Sequence, residues 1–185
     1  MELQGEAPIP MSDLAFEKTL RADAAFWGRV YQTTSDPAKE ADFCGDIRRY
    51  IETEDAAKIK AAIDKARPAF AGDMGTDPDT LCRVLLYVAL HESEGGKYDR
   101  QVGGGPACGW WQVEPASAQS IAVNSGGMWG PKARAITRTT LPQLRAMSTA
   151  GLRQFLLDPV NCCVMAAFIA LTNAKGKGQL EYLRR

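Results

Sequence analysis

Between Asp77 and Gly96 the chain encodes one buried helix together with both of its ends. Leu81, Val84, Leu85, Val88 and Ala89 recur at helical spacing. Asp77 can accept hydrogen bonds from the free N–H groups of a helix start, Pro78 suits the first helical position, and Asp79 adds a favourable charge in the first turn. Gly95-Gly96 ends the pattern. The spacing predicts a helix from Pro78 to about Ser93, which at ~1.5 Å per residue crosses a small domain in about four turns. A helix this apolar requires other elements around it. No alternating apolar run of useful length occurs in the chain, so any sheet is small and the fold class is mainly α.

Other helices are legible around it. Ser12 is placed to cap a helix containing Leu14, Phe16, Leu20, Phe26, Trp27 and Val30, and Ser35-Asp36-Pro37 opens a segment that continues through Ile47 and Ile51. Thr53 and Glu54-Asp55 precede the pattern Ile59, Ala62, Ile63 and Ala66, which Pro68 should stop. Gly126-Gly127-Met128-Trp129-Gly130-Pro131 breaks the structure, and Leu141-Pro142 and Leu152 to Leu156 mark helical stretches beyond it.

Chemistry concentrates just after the central helix. Glu92 lies one turn beyond Val88 and continues the apolar face toward the interior, where partial desolvation disfavours the charged carboxylate. A carboxyl with a raised pKa is what a general acid needs near neutral pH. Gly103-Gly104-Gly105-Pro106 then supplies backbone with little side-chain bulk, and Trp110-Trp111 supplies flat apolar area on which pyranose rings can stack. The ordinary alternatives are a solvated glutamate and tryptophans that belong to the core. Asp99 and Glu114 flank this segment as candidates for a second carboxylate, whereas Glu94 points to nearly the opposite side of the helix from Glu92.

Glu92-Ser93, a glycine-rich gap, and then Gly109-Trp110-Trp111-Gln112-Val113-Glu114-Pro115-Ala116-Ser117-Ala118 resemble the soluble lytic transglycosylases and goose-type lysozymes, and most of all the phage-encoded members of that superfamily. Leu157-Asp158-Pro159-Val160-Asn161 is similar to the family's Asp-Pro-x-x-Asn helix start, and the three blocks cover about half of the chain. The resemblance implies a lysozyme-like domain that cleaves the β-1,4 bond between N-acetylmuramic acid and N-acetylglucosamine in bacterial peptidoglycan. It makes Glu92 the single acid/base, oriented by Ser93, and gives Tyr98, Gln101, Gly109, Trp110, Trp111 and Gln112 places in the saccharide groove. The substrate's own acetamido group stabilises the cationic centre in this scheme, so no second carboxylate is required. The family's C-terminal Ala-Tyr-Asn-x-Gly has no counterpart here, since Tyr182 is the only tyrosine after Tyr98 and lacks the asparagine and glycine. That departure favours a contrasting expectation, a structural virion protein that keeps the fold with little activity.

Composition excludes several other chemistries. The 22 basic and 22 acidic residues balance, so nothing points to nucleic acid as a partner. His91 is the only histidine, and the five cysteines lack metal-ligand spacing, so neither a metal site, a histidine-based triad nor any other cofactor is expected. The odd, partly adjacent cysteines suggest reduced thiols made in a cytosol; Cys82 and Cys162 are expected to pack as small apolar residues, with Cys108 nearer the groove. The opening Met1-Glu2-Leu3-Gln4-Gly5-Glu6 does not resemble a signal peptide, and no apolar run approaches the roughly 20 residues of a membrane span. The expectation is therefore a phage protein made in the host cytoplasm and carried to the wall with virion proteins as partners, or else released as an endolysin. A polar, glycine-containing segment before Thr76 suggests a boundary between a helical docking extension, 1–75, and a catalytic region, 76–185. Phe16, Phe26, Trp27 and Phe43 offer the contrary expectation that the early helices complete one core.

Overall fold

The computed structural model describes residues 11–31, 36–71, 76–124 and 128–184. The expected boundary segment at 72–75, Gly126 and Gly127 of the later break, Ser35 and the opening residues lie outside these. Nine α-helices follow one another among the described residues: α1 Met11–Tyr31, α2 Pro37–Tyr50, α3 Glu54–Ala66, α4 Pro78–Glu92, α5 Pro115–Asn124, α6 Pro131–Thr137, α7 Leu141–Ala146, α8 Thr149–Leu157 and α9 Pro159–Gly176. Short 3-10 turns at Arg67–Ala69 and Leu180–Arg184 complete the order. No strand forms among the described residues. Extended structure is limited to two antiparallel bridges, Arg100 with Cys108 and Cys108 with Val113. The mainly helical class is as expected.

Local chemistry sets the helix starts. Asp36, Asp77 and Asp158 each stand before a proline and accept backbone N–H bonds from Ala38, from Asp79 and Thr80, and from Asn161. Each device satisfies orphan donors and fixes φ at the next residue. Thr53 and Ser148 cap α3 and α8, and Thr140 with Gln143 forms a reciprocal capping box on α7. Ser12 departs from expectation, because α1 already runs at Met11 and Ser12 falls inside its first turn.

α9 is the hub. Cys162, Cys163, Val164, Met165, Ala166, Ala167, Phe168, Ala170, Leu171 and Ala174 are all buried, so the helix is apolar on nearly every side. It packs against α1, α3, α4, α5, α6 and α8. Among the described residues no single helix is long and apolar enough to cross a membrane; α9 qualifies by length and composition only together with α8, across a bend of 106°. The burial of α9 inside the bundle accounts for its apolar character. All five cysteines are free thiols, and burial raises Cys162 to about 12.

Packing runs across residue 75. Leu20, Phe26, Trp27, Phe43, Ile47, Ile59 and Ile63 are buried in the same apolar cluster as Leu85, Leu90, Phe168 and Leu171. α3 lies on both α4 and α9, while α2 packs on α4. A polar tie adds to this: Asp23, fully buried on α1, accepts from Arg83 of α4 at 2.6 and 3.1 Å, and the Tyr182 hydroxyl near the C-terminal end donates to it. The ring of Tyr182 stacks on Phe26 at 4.6 Å. The early helices thus supply core, and the packing does not divide at the expected boundary.

Candidate functional site

α4 ends at Glu92, one residue short of the sequence expectation. Ser93 and the glycines turn the chain. The Ser93 hydroxyl donates to the Ala89 carbonyl at 2.6 Å and accepts from Gly96 N–H at 2.7 Å, while Gly95 N–H reaches back to the Leu90 carbonyl at 2.7 Å. Gly95 has φ 75°, and a Cβ there would overlap the Tyr50 ring, so only glycine suits the turn. Ser93 is fully buried with its hydroxyl committed to backbone. It shapes the end of α4 and lines neither cavity, so it is placed to fix the turn beside Glu92 and not to touch a ligand.

Two cavities meet at Glu92. One, of about 270 Å³, is lined by Tyr31, Val88, Trp111, Ser117, Ile169 and Asn173 among others; the second, of about 370 Å³, by Glu94, Tyr98, Arg100, Gln101 and Val102 among others. Glu92, Gln112 and Glu114 line both, so the pair forms one groove with the candidate acid at its junction. A roomier hollow of about 730 Å³, lined by Trp129, Arg134, Thr140 and Pro142 among others, has no carboxylate on its walls. A further cavity of about 390 Å³ between α1 and α2 holds Glu40 and Cys44 beside Arg21 and Arg48; the smaller pair is singled out by Glu92 and by the Trp-Trp-Gln segment on its walls.

Glu92 remains open to solvent along the groove, yet protein crowds its carboxyl. Desolvation pushes its pKa above the ordinary glutamate value, and the neighbouring His91 opposes this in part. Exposure limits how far the shift can go; its direction keeps a proton on the carboxyl to higher pH. His91 itself is braced by the early helices. Its Nδ1 lies 2.8 Å from Asp46 of α2, and its ring sits 5.1 Å from Trp27 and 5.2 Å from Phe43.

The tryptophans are placed otherwise than a stacking platform requires. Trp111 is buried, and its indole N–H donates to the Leu85 carbonyl of α4 at 2.8 Å, so the ring ties the segment to the core and only borders the cavity. Trp110 is half-buried, packs against the core and lines neither arm of the groove. Gly109 also serves packing: with φ 72°, it lets the backbone lie against Cys162 and the Leu156 carbonyl, where a Cβ would collide. Cys108 is buried behind the groove, its thiol on the Pro106 carbonyl at 3.3 Å.

Gln112 lines both cavities. Its backbone takes φ 46°, and its N–H and side-chain amide both donate to the Gly109 carbonyl, at 3.0 and 2.9 Å. Tyr98 and Gln101 line the second arm; Lys97 lies 4.7 Å over the Tyr98 ring, and Gln101 accepts from Ala107 N–H. Of the two candidate second carboxylates, Glu114 shares the groove with Glu92. Asp99 lines neither arm, and its carbonyl instead accepts from Gly109 N–H at 2.7 Å.

Sequence reasoning missed Tyr31, Ser117 and Asn173 in one arm and Arg100 in the other. Tyr31 falls one turn after Trp27 on the apolar side of α1, a spacing that marks it as interior without linking it to residue 92. Among the described residues, no group of three or more histidine, cysteine or acidic side chains is arranged to hold a metal ion. Searches against family models, curated proteins and solved structures return no match to this chain.

Proposed function

We propose that this chain is a lysozyme-like, peptidoglycan-cleaving enzyme of the lytic transglycosylase type, with Glu92 as its single acid/base. The observation that carries the reading is a glutamic acid of raised pKa at the junction of a two-armed groove, on the segment whose wording resembles that superfamily. A polysaccharide lying along both arms presents an inter-sugar bond to Glu92.

Glu92 gives its proton to the bridging oxygen as the C1–O bond of the muramyl unit breaks. The acetamido oxygen of that unit closes on C1 and holds the positive charge. Glu92, now a carboxylate, takes the proton from the muramyl 6-hydroxyl, whose oxygen attacks C1 and displaces the acetamido group. The product is a 1,6-anhydro end. Val88, Ala166 and Ile169 give the first arm an apolar floor suited to an N-acetyl methyl group, with Ser117 and Asn173 as polar partners. The wording shared with phage enzymes supports a virion-associated lysin that opens the wall for genome delivery.

Glu114 favours a second reading of the product. Because it lines the groove beside Glu92, it is available to activate water in place of the 6-hydroxyl, and hydrolysis then leaves a reducing end. The test is clearance of purified cell walls, followed by mass spectrometry of the fragments. Glu92→Gln keeps the shape but not the proton and is expected to lower the rate by about 10²–10⁴-fold. Clearance by the variant at the wild-type rate refutes Glu92 as the acid. Anhydro products identify the transglycosylase; products heavier by one water, lost in Glu114→Gln, identify the muramidase.

A further inference from the structure

The last turn of α1 reaches the groove. Tyr31 lines the same cavity as Glu92, although it lies in the part of the chain that the motifs do not cover. Its ring is held from behind by Trp27, one turn earlier at 6.4 Å, and Trp27 is fixed in turn by Phe43 at 4.8 Å. The ring is therefore positioned by buried aromatic packing. Among the described residues its hydroxyl has no hydrogen-bond partner, so the donor is left for whatever fills the cavity.

We propose that Tyr31 is a substrate-binding residue of the Glu92 groove, its hydroxyl donating to an oxygen of the N-acetylated amino sugar that lies against Glu92. Burial and the charge of Glu92 both raise its pKa, so the phenol stays protonated and acts as a neutral donor throughout the range in which Glu92 titrates. The cavity then offers a proton from Glu92, a hydrogen bond from Tyr31, and an apolar floor from Val88 and Ile169. This assignment rests on the proposed function for the identity of the ligand. It makes α1 part of the binding site as well as of the core.

Tyr31→Phe keeps the ring on Trp27 and removes only the hydroxyl. Loss of one neutral hydrogen bond is expected to lower kcat/KM on purified walls roughly three- to tenfold. The basic limb of the pH profile should stay where it is, because the hydroxyl contacts sugar and not Glu92. Binding of chitohexaose, followed by calorimetry in the Glu92→Gln background to prevent cleavage, should weaken by the same factor when Tyr31→Phe is added. If the wild type clears walls and Tyr31→Phe matches it in rate and in chitohexaose binding, the assignment of Tyr31 is wrong and the enzyme reading stands. A shifted basic limb also overturns it, since the hydroxyl would then act on Glu92. If the wild type clears no walls but Tyr31→Phe still weakens chitohexaose binding, the catalytic reading fails and Tyr31 remains a saccharide contact. If neither cleavage nor binding is detected, both fall.

Discussion

Replacing Asp23 with alanine tests how firmly the first helix is fixed to the helix that ends at Glu92. The Asp23 carboxylate is fully buried and accepts two bonds from Arg83 and one from Tyr182, linking α1, α4 and the C-terminal turn. Alanine removes all three and leaves a guanidinium and a phenol facing a small void. Breaking a buried pair by removing one partner costs about 3–5 kcal/mol. The Arg83 side chain retains 33% of its exposure, so it can turn partly to water and the lower end, about 3 kcal/mol, applies. For a domain of this length each kcal/mol moves Tm by roughly 2–4 °C, which gives a fall of about 6–12 °C. Urea and thermal unfolding followed by circular dichroism measure it, with Asp23→Asn as the variant that keeps an acceptor and should lose less. A loss for alanine below about 1 kcal/mol would refute the reasoning, leaving α1 held by apolar contact alone.

Two further outcomes follow from the same packing. Glu92 carries a raised pKa in the folded protein, so its protonated form is the one the fold prefers; the stability this confers is complete below the unfolded value of about 4.3 and is lost as pH rises through the folded value. Glu92→Gln should therefore unfold at a higher temperature than wild type at pH 7 and at the same temperature near pH 3 (roughly one unit below that unfolded value), and equal Tm values at both would mean that the carboxyl is not desolvated. Removing residues 1–75 strips Phe26, Phe43, Ile47, Ile59 and Ile63 from α4 and α9; at about 1.5–3 kcal/mol each, these rival a whole domain's net stability. The shortened chain should aggregate or lack a cooperative transition, and a soluble, cooperatively folding and lytic product would show that the early helices are dispensable.

What the sequence revealed was mostly local. Asp77 and Pro78 started α4 as expected because capping depends on side chains within three residues, and Thr53 and Asp36 did the same for α3 and α2. The place of Glu92 at the end of α4 was legible from helical periodicity, though the side chain is exposed along the groove where the pattern set it toward the interior. The tryptophans were not, because a loop has no period to say which way a ring turns: Trp111 is settled by a carbonyl 26 residues earlier in the chain. Asp99 and Glu114 looked equivalent for the same reason. The positive φ of Gln112 turns the chain so that Glu114 follows it along the groove, whereas the backbone of Asp99 is committed to Gly109. Tyr31 lies 61 positions before Glu92 and could be found only once α1 had been packed.

Two of the three non-glycine residues with positive φ among the described residues lie at the groove, the third, Arg138, ending α6 elsewhere. Glu94 and Gln112 adopt φ values of 47° and 46°, a region that side-chain-bearing residues enter at some expense, and they line the groove on which Glu92 sits. Each is held by structure that leaves little choice. The turn containing Glu94 is pinned by the buried Ser93 hydroxyl and the close pass of Gly95 over Tyr50; Gln112 is pinned by its paired bonds to Gly109, itself wedged against Cys162. The supporting groups are buried and apolar or bonded to backbone, so they cannot rearrange without loosening α4 or α9. Under the proposed function, a carboxyl that gives and takes a proton against a bound saccharide is helped by such a fixed setting. Here the early helices, the Trp-Trp-Gln segment and the core helix α9 each supply part of it.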